Sequence, residues 1–232
     1  MSKKLYERIR TQLKEMKNDG TYKEYRYLES PMSAHTRIED KGDVLVLCSN
    51  NYLGLSDKEE LIQSGIQALQ KYGAGGASVR FICGTYDIHR DLENKVAGFL
   101  GTEAALTYSS CWSANTAVIP ALLQPGDTVI SDALNHASIV DGCRLIAKGV
   151  NKAIYRHSDM SDLEEKLKEA KDSSVRLVLT DGVFSMEGDI ARLPEIVELV
   201  RKYDAVLMVD DSHATGVIGE TGKGTAEYFH MQ

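Results

Sequence analysis

The stretch Ala205-Val206-Leu207-Met208-Val209-Asp210-Asp211-Ser212-His213 decides how this sequence folds. An unbroken apolar run ends abruptly in two carboxylates, a serine and a histidine. A strand buried on one face alternates apolar and polar residues, whereas a strand buried on both reads as continuous apolar chain. Val175–Thr180 repeats the pattern and leads into Asp181, Ser185 and Glu187. Thr128–Ser131 does so again and leads into Asp132, Asn135, His136 and Ser138. Ile154 sits in another strand, and Val44–Cys48 reads as a short apolar one.

Helical spacing fills the intervals. It predicts helices over Glu59–Tyr72, with Leu61, Gly65, Ala68 and Leu69 on one side, and over His89–Leu100. Further helices are expected over Ser113–Leu123, bounded by Pro125 and Gly126, and over Ser161–Ala170, with Leu163 and Leu167 facing inward. The last is Pro194–Tyr203, with proline near its first turn. Residues 73–88 are glycine-rich and irregular. Strands buried on both faces and separated by helices indicate an α/β fold, a mostly parallel sheet flanked by helices.

Leu5, Ile9, Leu13 and Met16 recur at helical spacing near the start of the chain, before Gly20 and the polar connector TYKEYRYLESP. Residues 1–43 are therefore expected to form a helix and arm, and residues 44–232 the major α/β domain. The chain has 232 residues, 43% apolar and 26% charged, enough to bury a core without a disulfide or metal staple. A net charge of −7 argues against a nucleic-acid partner. No apolar run is long enough to span a bilayer, and the N-terminus has no signal-peptide core. Cys48, Cys83, Cys111 and Cys143 form no C-x-x-C pair. Cys48 and Cys83 lie in apolar runs and are expected to be buried, reduced thiols, which suits a cytoplasmic protein.

In open α/β sheets ligands bind beyond the carboxyl ends of the strands, so the polar residues there carry the chemistry. A carboxylate at Asp210 would be poorly solvated and would need a cationic partner. A protonated pyridine nitrogen is one such partner; an arginine, or a helix N-terminus capped by Asp210 or Asp211, is the plainer alternative. His136, in a loop, is equally compatible with a structural role. His136, His213, Asp181 and Asp210 lack the spacing of a zinc motif, so no metal is expected. Ser110 precedes a helix whose free amides favour an anion, although a serine N-cap alone is common. Gly73–Gly76 lacks the third glycine of a dinucleotide-binding turn. Gly219–Gly224 resembles a phosphate-binding loop but has Gly224 where serine or threonine would hold magnesium.

Six segments in one order go further: SNNYLGL (49–55), ASVRFICGT (77–85), YSSCW (108–112), SDALNHASIVDG (131–142), TDGVFSMEGD (180–189) and VDDSHATGVIGETGKG (209–224). Together they closely resemble the α-oxoamine synthases, fold-type I enzymes dependent on pyridoxal 5'-phosphate (PLP) that join an amino acid to an acyl-CoA. ASVRFICGT is most similar to members that join glycine to acetyl-CoA. The resemblance implies that Asp210 pairs with the pyridine nitrogen and His213 with the ring's 3-oxygen. It implies that His136 stacks on the ring and helps protonation. Cys111 and Trp112, with Ser110 nearby, would hold the phosphate. Ser185 would lie near ring and substrate, Asn50 would face the substrate, and His136 would meet both. It further implies a homodimer in the full-length form, and a cytoplasmic location or, in a eukaryote, a mitochondrial one.

The family's lysine, which holds the cofactor and takes the substrate's proton, lies in a T-x-G-K-A-x-G-G segment that does not occur here. Lys223, between two glycines, resembles a different loop. The family's C-terminal domain has no counterpart either. The chain is therefore expected to be an N-terminal part of such an enzyme, with the C-terminal part of the fold missing. Alternatives are a relative using a longer acyl-CoA, or a non-catalytic scaffolding subunit.

Overall fold

The computed structural model describes residues 2–231; Met1 and Gln232, the outer ends of the two expected regions, lie outside the described residues. The chain divides into two compact units, one running through Ala74 and the other starting at Gly75. This division lies beyond the one expected at residue 43, because a hairpin and a helix belong with the arm.

The first unit contains helix α1 (Lys3–Asn18), strands β1 (His35–Ile38) and β2 (Gly42–Leu45), and helix α2 (Glu59–Tyr72). β1 and β2 pair antiparallel, His35 opposite Leu45. The expected strand at Val44–Cys48 is thus the second arm of a separate two-stranded sheet and not part of the parallel one. Leu47 is 88% exposed and Cys48 is exposed. Cys83 is exposed too, in a turn outside any strand or helix, so the expected burial of both thiols is corrected. Apolar neighbours in sequence do not bury a residue that no regular element carries inward.

The second unit contains α3 (Asp87–Leu100), α4 (Cys111–Leu122), β3 (Thr128–Asp132), α5 (Ala137–Leu145), β4 (Asn151–Tyr155) and α6 (Met160–Glu169). It continues with β5 (Arg176–Asp181), α7 (Leu193–Lys202), β6 (Val206–Asp210) and the short α8 (Thr225–Tyr228). The four strands form one parallel sheet in the order β4-β3-β5-β6. β3 and β5 are central and buried along almost their whole length. The edge strands β4 and β6 are buried less: Ile154 is 67% and Val206 50% exposed. Two apolar layers cover the sheet. Ile130, Val178, Leu163, Leu167, Phe184 and Ile196 pack on one side, and Ile119, Val129, Ile139, Leu177 and Leu179 on the other. No described helix is long and apolar enough to cross a membrane.

Two contacts fix what lies above the strand ends. First, α5 packs tightly on α4. A Cβ at Gly142 would stand 2.7 Å from Ile119 Cδ1 and 2.8 Å from the Asn115 carbonyl oxygen, too close for any side chain. Second, His157, just past β4, bridges two carboxylates. Its Nδ1 lies 2.9 Å from Asp132 Oδ1 and its Nε2 2.9 Å from Asp189 Oδ2. The ring meets Phe184 edge-on at 4.4 Å. This ties the 184–189 turn to the end of β3. Burial lowers the His157 pKa, but the hydrogen bonds to Asp132 and Asp189 and their charges outweigh it and raise the value above 6.5.

Gly142→Ala is expected to destabilise the chain by about 1–3 kcal/mol, because the added methyl has nowhere to go. Urea unfolding measures this, and an unchanged midpoint would contradict the α4–α5 contact. A His157→Gln comparison tests the bridge. A raised histidine pKa stabilises fully below the unfolded value of about 6.5, and that stabilisation is lost as pH rises through the folded value. The stability gap between wild type and His157→Gln is therefore expected to narrow from pH ~6 to pH ~9. A gap that is constant across that range would show that the bridge does not depend on the charged ring.

Candidate cofactor site

Asp181 and Asp210 are register partners at the ends of β5 and β6. Their carboxylates are nearly buried, at 3% and 7% exposure, yet their surroundings separate them. Burial disfavours the charge on Asp210, but Ser212, Asn115 and Cys111 donate to it and together hold its pKa below the ordinary value. Ser212 N–H donates to Oδ1 at 3.1 Å. Asn115 Nδ2 donates to Oδ2 at 2.7 Å, with the Cys111 thiol at 3.4 Å from the same oxygen. Asp181 has fewer donors. Its Oδ2 accepts from the His136 backbone N–H at 2.9 Å, and its Oδ1 is buried without a partner in the structure. Burial and the neighbouring Asp210 charge push the Asp181 pKa up to about 7.

Asp211, the alternative cap, does bind the start of the next helix, α8, and the loop before it. Its Oδ2 accepts from Thr215 Oγ1 and from Thr225 N, each at 3.0 Å, and Thr225 Oγ1 donates to Oδ1. It pins the loop between residues 215 and 225, and leaves Asp210 to face the site. A Cβ at Gly182 would overlap both Asp211 and Thr225, which accounts for a glycine after β5.

His136 is the N-cap of α5, and its ring Nδ1 accepts from Ser138 N at 3.2 Å. The structural role left open for it is thus real. His213 lies in the turn after β6, and its ring meets that of His136 edge-on, centroids 6.3 Å apart. Ser110 caps α4 by accepting from Ser113 N at 3.0 Å. Cys111 and Trp112 occupy the first turn of α4, where backbone N–H groups have no intrahelical acceptor. Asp210, Cys111, His136 and His213 are therefore brought together, with Ser110 and Trp112 flanking Cys111. Ser185 is exposed in the turn that His157 and Asp189 hold. Asn50 belongs to the first unit, where its Nδ2 donates to Tyr52 Oη at 2.7 Å.

Asn115 and the His157 bridge are absent from the residues singled out by sequence, and Ser138 is there only as one of the polar residues after β3, with no role of its own. Asn115 carried one signal: an amide inside an otherwise apolar helix, where asparagine is unfavourable unless its side chain is bonded. Among the described residues no group of three or more histidine, cysteine or acidic side chains is placed to hold a metal ion.

The donor set suits a dipolar ligand. The α4 N-terminus offers amides to an anion, and Cys111 places it beside a buried carboxylate suited to accept from a cationic N–H. PLP has that polarity, with a phosphate at one end and a protonatable pyridine at the other.

Comparison with known proteins agrees. The family described as aminotransferase class I and II matches residues 42–230. The chain is 50% identical over 224 residues to 8-amino-7-oxononanoate synthase of Thermoanaerobacter pseudethanolicus, covering 96% of this chain and 56% of that protein. It is 51% identical over 217 residues to the human mitochondrial 2-amino-3-ketobutyrate coenzyme A ligase, covering 93% and 51%. The chain thus spans about half the length of the curated relatives it matches. Among solved structures, a serine palmitoyltransferase of Sphingomonas wittichii superposes with a TM-score of 0.87 at 32% identity, covering 96% of this chain and 56% of that one. Another serine palmitoyltransferase, solved with PLP, gives 0.88 at 31%, covering 97% and 56%. The chain belongs to the aminotransferase class I and II family, of PLP-dependent fold type I, and its relatives at about 50% identity are α-oxoamine synthases.

Proposed function

We propose that this chain is the cofactor-binding part of a glycine C-acetyltransferase, which joins glycine to acetyl-CoA and releases 2-amino-3-oxobutyrate and CoA. The observation that carries the PLP-enzyme reading is the buried, ionised Asp210 beside the N-terminus of α4. The acetyl-CoA specificity rests on ASVRFICGT. The two kinds of curated relative are equally similar, so the second reading is a synthase of the 8-amino-7-oxononanoate type, using a longer acyl-CoA. A non-catalytic scaffold is disfavoured by the set of Asp210, His136 and His213, which a scaffold has no need to keep.

Each residue then has a task. Cys111 and Trp112 amides would hold the phosphate, beside the Ser110 cap. Asp210 would accept the pyridine N–H and favour that nitrogen's protonated form. The bound cofactor supplies an electron-withdrawing ring that acidifies the amino acid's α-C–H. His136 would cover one ring face, and His213 would meet the ring's 3-oxygen. Ser185 and Asn50 are assigned to the substrate. The residue that takes the substrate's proton in this family is a lysine in a segment that these 232 residues do not contain. The same reading includes a homodimer in the full-length protein and a cytoplasmic or, in a eukaryote, mitochondrial location.

Asp210→Asn is expected to weaken PLP binding by about 10-fold or more, since a hydrogen bond to a charged group contributes about 1.5–3 kcal/mol. An absorbance titration with PLP measures this, and wild-type affinity in a variant that still melts cooperatively would remove Asp210 from the cofactor site. On the enzyme from its native source, acetyl-CoA is expected to outperform pimeloyl-CoA and palmitoyl-CoA with glycine. A clear preference for either long thioester would refute the acetyl assignment.

A further inference from the structure

Two residues outside this assignment join its poles. Asn115, on α4, is 2% exposed, and Ser138, on α5, is fully buried. Asn115 Nδ2 lies 2.7 Å from Asp210 Oδ2 and 2.9 Å from Ser138 Oγ. Ser138 Oγ lies 2.7 Å from His136 Nδ1. We propose that Asn115 and Ser138 are positioning residues, forming a directed hydrogen-bond chain from Asp210 to His136 that fixes the His136 imidazole as its Nε2–H tautomer.

The directions follow from what each group can do. An ionised carboxylate only accepts, so Asn115 presents its NH2 group, not its oxygen, to Asp210. One amide hydrogen goes to the carboxylate and the other to Ser138 Oγ. A hydroxyl that accepts from an amide keeps its own hydrogen to donate, and the next acceptor is His136 Nδ1. The Ser138 backbone N–H also points at Nδ1, at 3.2 Å, and a backbone amide never accepts. Nδ1 thus faces two donors and bears the lone pair, and the ring proton sits on Nε2. With Asn115, Ser138 and Asp210 all nearly buried, water does not compete for these bonds.

The consequence narrows what His136 does. From Nε2 the ring offers its N–H as a hydrogen-bond donor and has no lone pair there with which to take a proton. A role as a hydrogen-bond donor is open to it, and a role as the base that first removes the substrate's proton is closed. This meaning rests on the proposed cofactor site; the tautomer itself does not.

The test is a long-range proton–nitrogen correlation spectrum of the full chain labelled with 15N-histidine, His136 being assigned by loss of its signals in His136→Gln. The wild type is expected to show an unprotonated Nδ1 and a protonated Nε2. Ser138→Ala and Asn115→Ala are expected to shift both signals toward a mixture of tautomers. Ser138→Thr, which keeps the hydroxyl, is expected to restore the wild-type pattern. A wild-type ring protonated on Nδ1, or His136 signals unmoved in folded Asn115→Ala, would overturn the proposal. Should the variants fail to fold, the wild-type spectrum decides alone. PLP titration of the same sample separates the two ideas: the expected tautomer without cofactor binding would sink the cofactor reading and leave the hydrogen-bond chain standing.

Discussion

A carboxylate removed from water stays charged only where donors replace the water, and at the end of β6 that requirement organises everything nearby. Asp210 accepts from Ser212, one step along its own turn, and from Asn115 and Cys111 on α4. The helix is thereby oriented by the charge it serves, with its first turn beside the carboxylate. Asp181, in register on the adjacent strand, lacks comparable donors, and its pKa is high instead. Two identical side chains on neighbouring strands thus differ in character, and the difference comes wholly from the atoms that face them.

The parallel sheet was legible because burial on both faces leaves a mark that needs no partner to be recognised. Val175–Thr180 and Ala205–Val209 show it plainly, and β5 and β6 lie within a residue of those runs. The same logic misplaced Val44–Cys48. An apolar run says that a segment is extended, not which sheet it joins, and here the partner is the preceding strand. Helix α5 went unseen because Gly142 weakens its propensity, and that glycine is there for a contact with α4 that only the fold reveals.

The site was legible where its residues stand directly after strands. Asp210 and His136 could be singled out from position alone, and the resemblance supplied the roles. Asn115 was barely legible, because its meaning lies in groups from two other parts of the chain, the start of α5 and the end of β6. The Asp132–His157–Asp189 bridge failed for the same reason: each member is an ordinary loop or strand-end residue until the turns bring them together. Asn50 marks a different limit. The resemblance gave it a substrate contact at the end of the first expected strand, and since that strand belongs to the separate hairpin, the parallel sheet supplies no geometry for the assignment.

The tight seat of Gly142 against α4 has a consequence for redesign. Two helices held that close act as one mechanical part, so a change made to accommodate a bulkier ligand on either cannot be absorbed by sliding its neighbour. Altered selectivity is better sought in the 184–189 turn, which carries the exposed Ser185 and whose Asp189 is held by His157. Engineering of this scaffold therefore has a stiff half, to be left alone, and an adjustable rim.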